Sequence, residues 1–305
     1  MKKVREAVLL LAAVLILAGC APSAPAPGTE PVVKETAAPA PTTEPVAEET
    51  AATVPVQREI CQSFPLGTAS FHDLNGDGAE EELFVDVSED GGILRVDGME
   101  LVMGDYWFNP TGYYTVTDVF GTGQTLLVGI SDYGPSDDYW TEFYVCDSGQ
   151  IRSVGGFDDI LGRNDWDMES AVCNGDGTFS ASTRLDVLGT WSGSAQYRYD
   201  GDALQDSTEF YRHRTGWEAT TKCDVLLYAR QSDSDPAVVV PRDTKVCMTG
   251  CVQAGEMTYW AALESDAFEG TLWAFVAVDE YPQLVETPDG AVPSEEAFAG
   301  FFFAG

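Results

Sequence analysis

One ten-residue stretch restricts the possible folds of this chain more than any other. It reads Asp73-Leu74-Asn75-Gly76-Asp77-Gly78-Ala79-Glu80-Glu81-Glu82. Side chains that carry oxygen occupy positions 1, 3, 5 and 9, and glycine occupies position 6, where the backbone must turn sharply. This spacing is the first part of an oxygen cage for a hard cation such as Ca²⁺.

The surroundings of this stretch distinguish it from an EF-hand. An EF-hand places a bidentate Glu at position 12 and a helix on each side, whereas position 12 is Phe84 here and the flanking residues alternate as in strands. We therefore predict a calcium loop that joins two β-strands. The predicted ligands are the side chains of Asp73, Asn75, Asp77 and Glu81 and the carbonyl of Ala79, with Glu80 or Glu82 completing the shell. The alternative is an ordinary acidic turn whose carboxylates spread into water.

Four predicted strands flank and follow the loop, and a second set of four repeats their order of lengths and turns. The first set is 68–73, 81–87, 93–96 and 99–103, and the second is 113–120, 124–130, 139–146 and 151–157. Asp97-Gly98 predicts a type I′ hairpin. An offset of 45 residues aligns Asp118 with Asp73, while Phe120 and Thr122 replace two oxygen ligands. We interpret this as a repeat whose second cation site has decayed.

A third, fainter set of strands is predicted at 170–173, 178–185, 195–199 and 203–210. Its first turn, 174–177, is followed by no acidic residue at the needed spacing and so predicts a hairpin turn. Antiparallel four-stranded units about 45 residues apart are typical of propeller blades and similar arrays. The predicted fold class is all-β, with blade-like repeats over residues 57–214 that form a partial propeller or a β-meander.

The loop pattern Asp-x-Asn-x-Asp-Gly-x-x-Glu resembles the FG-GAP/VCBS repeat family. The resemblance covers residues 73–82 and extends weakly to 118–123. It implies extracellular β-propeller blades and a structural Ca²⁺ ion as the cofactor. Three units are fewer than the roughly four to eight blades of a closed ring.

Residues 215–305 consist of short apolar runs, two of which carry Tyr259-Trp260 and Gly270-Thr271-Leu272-Trp273. These elements resemble those of small bacterial SH3-type barrels. The resemblance implies an SH3-like β domain at the end of the chain. Ser294 predicts a capped helical turn, and Phe301-Phe302-Phe303 predicts a last buried strand.

The first 20 residues predict an export signal. Three basic residues precede an apolar run at 7–18 that is too short to span a bilayer. The end of this segment, Leu17-Ala18-Gly19-Cys20, resembles the lipobox of bacterial lipoproteins. The resemblance implies that Cys20 is lipid-modified and anchors the chain on the extracellular face of the cell membrane. A plain secretory signal or an uncleaved anchor is the alternative.

Residues 21–56 hold 8 of the 16 prolines and predict a disordered linker between the anchor and the folded part. The formal net charge of −34 argues against binding to nucleic acid and favours cations as partners. Six cysteines follow Cys20, an even number that permits disulfides in an exported chain. Buried free thiols fit their strand-like surroundings at least as well.

Few residues suggest catalysis. The chain has two histidines and lacks the usual zinc, nucleophile-elbow and phosphate-loop motifs. The carboxylate pairs Asp137-Asp138 and Asp158-Asp159 are compatible with the acid and base of a glycosidase. The alternative function is therefore a secreted hydrolase that acts on cell-wall or polysaccharide substrates.

The stretch from 133 to 140 favours binding over catalysis, because it has aromatic rings at both ends and two carboxylates between them. Exposed rings beside acidic groups suit stacking on sugars or gripping a peptide, although core packing is the other interpretation. The predicted binding residues are Tyr133, Asp137, Asp138, Tyr139 and Trp140. The predicted function is a lipid-anchored, calcium-stabilised binding or adhesion module for cell-wall glycan, polysaccharide or another envelope protein.

Overall fold

The computed structural model describes residues 60–303 except 89–90, 105–108, 136–137, 148, 165–169 and 279–281. The chain divides into two units, Met1–Pro55 and Val56–Gly305, and every described residue belongs to the second. The predicted signal, Cys20 and the linker at 21–56 lie outside the described residues. Within the described ranges, no helix is long and apolar enough to cross a membrane.

The described residues confirm the all-β class, because they form several antiparallel sheets and one helical turn. In chain order the elements are β1 (Cys61–Pro65), β2 (Ala69–His72), β3 (Glu81–Ser88), β4 (Gly91–Val96), β5 (Met99–Met103), β6 (Pro110–Asp118), β7 (Leu126–Asp132), β8 (Trp140–Asp147), β9 (Gln150–Phe157), β10 (Val172–Cys173), β11 (Thr178–Asp186), β12 (Thr190–Tyr199), β13 (Leu204–Asp206), β14 (Tyr211–Thr221), β15 (Val225–Leu227), β16 (Val238–Val240), β17 (Lys245–Gly255), β18 (Thr258–Glu264), β19 (Leu272–Ala277), β20 (Leu284–Thr287), β21 (Gly290–Pro293), α1 (Ser294–Ala297) and β22 (Phe298–Ala299).

The first sheet is a four-stranded antiparallel meander in the order β2-β3-β4-β5. Strand β3 alternates strictly, with Glu81, Leu83, Val85 and Val87 buried and the residues between them not, which is the period-two pattern of a sheet with one covered face. Asp97 and Gly98 join β4 to β5 with φ angles of 46° and 82°. Two positive φ angles are those of the predicted type I′ turn.

The second sheet has the order β1-β6-β7-β8-β9. All seven residues of β7 are buried, because this sheet is covered on both faces. Leu126, Val128 and Ile130 pack into one core with the first sheet, while Leu127 belongs to the other core. The second sheet is therefore the middle layer, and it holds the first sheet on one face.

The third predicted unit corresponds to β10, β11, β12 and β13, but it does not end as a separate sheet. Strand β14 pairs with β12, and the sheet continues through β17, β18, β19, β20 and β21 to a total of 11 strands. The SH3-like barrel implied for residues 215–305 is not observed, since these strands extend an open sheet. The described residues form neither a closed barrel nor a propeller. The expected domain boundary between 214 and 215 falls inside β14.

The C-terminal segment differs from its prediction. The last strand is β22, and Phe298 is 2% exposed whereas Phe302 is 63% exposed, so the buried strand predicted at 301–303 is wrong. The ring of Phe302 instead lies against Trp217, with centroids 5.0 Å apart. The helical turn α1 is present, but its N-cap is Pro293 and no side chain caps it. All six described cysteines are free thiols.

Candidate functional site

The predicted cation loop joins β2 to β3 and folds its oxygen atoms onto its own backbone. The N–H of Gly78 donates to Oδ2 of Asp73 at 3.0 Å. The N–H of Asp77 donates to Oδ1 of Asn75 at 2.8 Å, and the N–H of Ala79 donates to Oδ1 of Asp77 at 2.8 Å. Because Gly76 and Gly78 have φ angles of 77° and 90°, the backbone turns twice in a region that favours glycine.

Glu81 closes the loop from its far end. Glu81 is buried, with 8% of the residue exposed. Oε2 accepts from the N–H of Leu74 at 2.7 Å, and Oε1 accepts from Nδ2 of Asn75 at 2.9 Å. The same Nδ2 lies 3.3 Å from Oδ2 of Asp77. The amide group of Asn75 therefore lies between two carboxylates.

One oxygen of this loop is left without a partner. Oδ1 of Asp73 is buried and accepts no hydrogen bond, an arrangement that costs about 1–3 kcal/mol or more for a charged group. No three or more His, Cys, Asp or Glu side chains are grouped so that they could hold a metal ion, within the part of the chain that the structure describes. The carboxylates of Asp73, Asp77 and Glu81 are thus held by N–H groups rather than converging on one point.

The second loop, 118–126, repeats the first hydrogen bond of this arrangement. Asp118 is 4% exposed, and its Oδ2 accepts from the N–H of Gly123 at 2.6 Å, as Asp73 accepts from the glycine five residues later. Its Oδ1 accepts from the N–H of Thr122 at 3.1 Å. Both oxygens of this aspartate are therefore satisfied by the backbone.

The second loop also lacks a side-chain oxygen at position 9, a difference that the predicted repeat did not include. Leu126 stands at position 9, where the first loop has Glu81, and it is 3% exposed in the core shared with the first sheet. With Phe120 and Thr122 already in place of Asn75 and Asp77, only the first aspartate remains of the side-chain ligand set. The signal was visible in the sequence, because the 45-residue offset extends to this position.

The third loop, 174–180, keeps a different part of the pattern. Oδ1 of Asp176 accepts from the N–H of Thr178 at 3.0 Å, and Nδ2 of Asn174 donates to Oγ of Ser180 at 3.2 Å. These two contacts repeat the Asp77 and Asn75 contacts of the first loop. The position of the first aspartate is occupied by Val172, so the third loop has no carboxylate at its start.

The three loops touch one another in a row. The N–H of Gly177 donates to the carbonyl of Val119 at 2.9 Å, which joins the third loop to the second. A Cβ atom on Gly76 would lie 3.1 Å from the carbonyl oxygen of Gln124, which joins the second loop to the first. Gly76 is therefore required both by its positive φ angle and by the neighbouring loop.

The predicted binding stretch, 133–140, is held at its base by the preceding residue, Asp132. Its Oδ2 accepts from the N–H of Asn109 at 2.9 Å, and its Oδ1 accepts from the N–H of Gly134 at 2.5 Å. Tyr133 is buried, and its ring lies edge-on to that of Tyr139, with centroids 6.3 Å apart. Tyr133 thus belongs to the packing of the loop rather than to its exposed surface.

The other predicted residues of this loop are more accessible. Tyr139 and Trp140 are half-buried, and Nε1 of Trp140 donates to Oε2 of Glu142 at 3.1 Å. Asp138 forms an ion pair with Arg184 at 2.5 Å. Asp137 lies outside the described residues. This stretch therefore carries two half-buried rings and one carboxylate that is paired with a cation on β11.

The sequence did not identify Arg184, which lies on β11 and is 46 positions away from its partner. The only available signal was its rarity, because the chain has just 16 Lys and Arg residues against 50 Asp and Glu residues. In such an acidic chain each cation has many potential partners, and the pairing is a tertiary contact that no local pattern specifies.

The second carboxylate pair splits into two roles. Asp159 is buried, and its oxygens accept from the N–H groups of Ile160 at 2.8 Å and Ser182 at 2.7 Å. Asp158 is half-buried, and its Oδ2 accepts from Oγ1 of Thr183 at 2.8 Å. Burial raises the pKa of both carboxyl groups above the usual aspartate value, and the hydrogen bonds oppose that rise. Asp159 is a structural acceptor, whereas Asp158 remains open to other partners.

Comparison with family models, with curated proteins and with solved structures finds no match for this chain.

Proposed function

We propose that this chain is a non-catalytic binding module that presents the stretch 133–140 to a sugar-containing polymer of the cell envelope. The observation that carries the proposal is that Tyr139 and Trp140 are only half-buried and directly follow Asp138, which forms an ion pair with Arg184. Aromatic faces stack on the apolar faces of sugar rings, and charged groups bind the hydroxyls. Buried Asp132 fixes the base of this stretch, because its carboxylate accepts from the N–H groups of Asn109 and Gly134.

The location and partner of the module rest on the sequence. The lipobox-like segment ending at Cys20 supports attachment to the outer face of the cell membrane, and the Pro-rich linker supports reach away from it. The net charge of −34 disfavours nucleic acid as a ligand. Cell-wall glycan, an exposed polysaccharide or another envelope protein remain the proposed partners.

We also propose Ca²⁺ as a structural cofactor of the loop at 73–81. The orphaned Oδ1 of Asp73 and the amide of Asn75 between two carboxylates support a fit. The residues that would hold the ion are Asp73, Asn75, Asp77, Ala79 and Glu81. A bound cation would offset the repulsion between the carboxylates, at the affinity of about 10⁻⁴ to 10⁻³ M found in extracellular modules. Because the described carboxylates do not converge, binding requires the amide of Asn75 to turn its oxygen inward.

The matching contacts of the three loops support blade-like repeats of the FG-GAP/VCBS kind as the finer description of this fold. In the first two loops, the aspartate at position 1 accepts a hydrogen bond from the N–H of the glycine five residues later. In the first and third loops, the aspartate at position 5 accepts a hydrogen bond from the N–H of the residue at position 7. Shared hydrogen bonds at equivalent positions are expected of repeats that descend from one unit.

The alternative function, a hydrolase, draws on Asp158 and Asp138. Burial raises the pKa of Asp158 most, the hydrogen bond from Thr183 lowers it, and the charges of Asp138 and Asp206 raise it further. A carboxyl group with a raised pKa near an ionised one is the arrangement of a general acid and its partner. Asp159 takes no part in this alternative, because both its oxygens accept backbone hydrogen bonds.

A retention experiment separates the two functions. Insoluble cell-wall glycan should retain the wild-type protein, and Trp140→Ala and Tyr139→Ala should each weaken retention at a temperature at which melting curves show both variants to be folded. Phe71→Ala is the matched control, because Phe71 is also an accessible aromatic residue but lies on the first sheet. Equal retention of all variants would contradict the proposed surface. Release of soluble sugar that disappears in Asp158→Asn would instead support the hydrolase.

A further inference from the structure

Three consecutive residues of β11 each hold a carboxylate from the loops of the second sheet. The pairs are Ser182 with Asp159 at 2.7 Å, Thr183 with Asp158 at 2.8 Å, and Arg184 with Asp138 at 2.5 Å. The donors are a backbone N–H, a hydroxyl and a guanidinium group. Three acidic side chains are therefore concentrated at one contact between the second sheet and the 11-stranded sheet.

The three carboxylates are unequally compensated. Asp138 has the guanidinium of Arg184 as its partner, and Asp159 has two backbone N–H groups. Among the described residues, Asp158 accepts a hydrogen bond from the hydroxyl of Thr183 alone. A neutral hydroxyl compensates a negative charge less than a cation does, so the ionised form of Asp158 is stabilised less by its partner than that of Asp138 is.

The groups that face Asp158 from the surrounding elements are mostly acidic. They are Asp138 before β8, Asp159 next in the chain, Tyr197 on β12 and Asp206 on β13. Asp206 itself accepts a hydrogen bond from the hydroxyl of Tyr211 on β14. The guanidinium of Arg184 is the nearby cation, and it is engaged by Asp138.

We propose that the contact between the second sheet and β11 is strengthened when Asp158 takes up a proton, so that the folded protein is more stable in mildly acidic than in neutral solution. Burial and the neighbouring carboxylates oppose the charge of Asp158, and protonation removes that opposition. The hydrogen bond from Thr183 is retained, because a protonated carboxyl group still accepts at one oxygen.

The direction of the pH dependence follows from linkage. The pKa of Asp158 is raised in the folded protein, whereas an unfolded aspartate titrates at about 3.9. The stabilising effect is therefore fully present below the unfolded pKa and is lost as the pH rises through the folded pKa. Each unit of difference between the two pKa values corresponds to about a tenfold change in the folding equilibrium constant.

Unfolding curves of the full chain between pH 4 and pH 8 at constant Ca²⁺ test this proposal. Asp158→Asn should raise the melting temperature at pH 8, and its difference from the wild type should vanish towards pH 4. Asp86→Asn is the matched control, because Asp86 is exposed on β3 and its loss removes the same charge without the burial. The control curve should run parallel to the wild-type curve.

Two results would overturn the proposal. One is an Asp158→Asn curve that lies below the wild type at pH 8 or runs parallel to it throughout. The other comes from carboxyl-carbon nuclear magnetic resonance of the wild type, which reports titration without any substitution. A titration midpoint for Asp158 at or below that of Asp86 would exclude the proton uptake on which the stabilisation depends.

Discussion

The loops 73–81 and 118–126 begin with the same aspartate and the same hydrogen bond, yet they leave that aspartate in different states. Asp118 has both oxygens paired with backbone N–H groups, whereas Asp73 has one oxygen paired and one buried without a partner. The residue at position 9 also differs between the two loops. Leu126 is buried in the core, whereas the carboxylate of Glu81 accepts a hydrogen bond from the N–H of Leu74 in its own loop. The second loop is complete as a purely protein structure, and the first is not.

The comparison shows that the two loops keep the same glycine turns while the side chains at their ligand positions differ. The glycine turns are retained, with φ angles of 66° at Gly121 and 73° at Gly123. What changes is the chemistry at positions 3, 5 and 9, where a ring, a hydroxyl and an apolar side chain replace oxygen ligands. The backbone supplies the second hydrogen bond to Asp118, so both of its oxygens have partners.

The largest expected effect on stability comes from placing a glutamate, the residue at position 9 of the first loop, at position 9 of the second loop. Leu126→Glu should destabilise the protein by roughly 3–5 kcal/mol, because it removes a buried apolar side chain and places a charge in the core between two sheets. Denaturant unfolding measures this loss, and Leu126→Met is the size-matched control, with an expected cost of less than about 1.5 kcal/mol. A stable Leu126→Glu protein with a new Ca²⁺ response would show that the second loop is still a cation loop.

The same substitution should destabilise the protein at Asp118 but have little effect at Asp73. Asp118→Asn should cost about 1–3 kcal/mol, because an amide nitrogen cannot accept the N–H that one carboxylate oxygen accepted. Asp73→Asn should be nearly neutral in the presence of a chelator, because its amide nitrogen can take the place of the unpartnered oxygen. Thermal unfolding with chelator compares the pair. Equal losses in both variants would contradict the difference between the loops.

The effect of Ca²⁺ on stability should also distinguish the two loops, by a smaller free energy than the substitutions above. At about 1 mM Ca²⁺ and a dissociation constant of about 0.1 mM, a ligand that binds only the folded state contributes about 1.4 kcal/mol. Chelator should therefore lower the melting temperature of the wild type, and Asp77→Ala should remove most of that response. Calorimetry without any heat of Ca²⁺ binding, together with a melting curve indifferent to chelator, would leave the first loop as a plain acidic turn.

Asn75 offers a sharper form of the same test. Its amide nitrogen lies between the carboxylates of Asp77 and Glu81, so Asn75→Asp should destabilise the loop in chelator by about 1 kcal/mol through added repulsion. In Ca²⁺ the added carboxylate should become a ligand, and the melting temperature should recover. A variant that is equally destabilised with and without Ca²⁺ would argue against a cation at this position.

Much of the first two sheets was predictable, because their information is local. Alternating burial in β3 and the Asp97-Gly98 turn are both written in short stretches of sequence. Strand β1 was not predicted, since its pairing with β6 joins Cys61 to Thr117 across a long separation. The continuation of the sheet through β14 was also missed, because the choice of strand partner depends on which edges remain open.

The candidate site likewise has features that local sequence predicts and features that depend on tertiary contacts. The oxygen positions of the first loop and the rings of the binding loop follow from spacing in the sequence. The hydrogen bonds that decide their state do not, because they depend on rotamers and on neighbouring elements. Tyr133 was predicted as a binding residue but is buried, and the pairing of Asp138 with Arg184 was not predicted at all.

The smallest expected effect belongs to the double variant Phe120→Asn with Thr122→Asp, which restores positions 3 and 5 of the second loop. Stability should change by less than about 1 kcal/mol, because Phe120 is 37% exposed and its ring centroid lies as far as 6.2 Å from that of Tyr199. An aspartate at 122 can keep the hydrogen bond that Oγ1 of Thr122 accepts from Gln124 at 3.4 Å. The number of bound Ca²⁺ ions should nevertheless stay the same as in the wild type, because Leu126 still supplies no oxygen at position 9 and both oxygens of Asp118 remain paired. Calorimetric stoichiometry checks this, and an additional ion in the double variant would show that position 9 is dispensable and that the two loops differ only at positions 3 and 5.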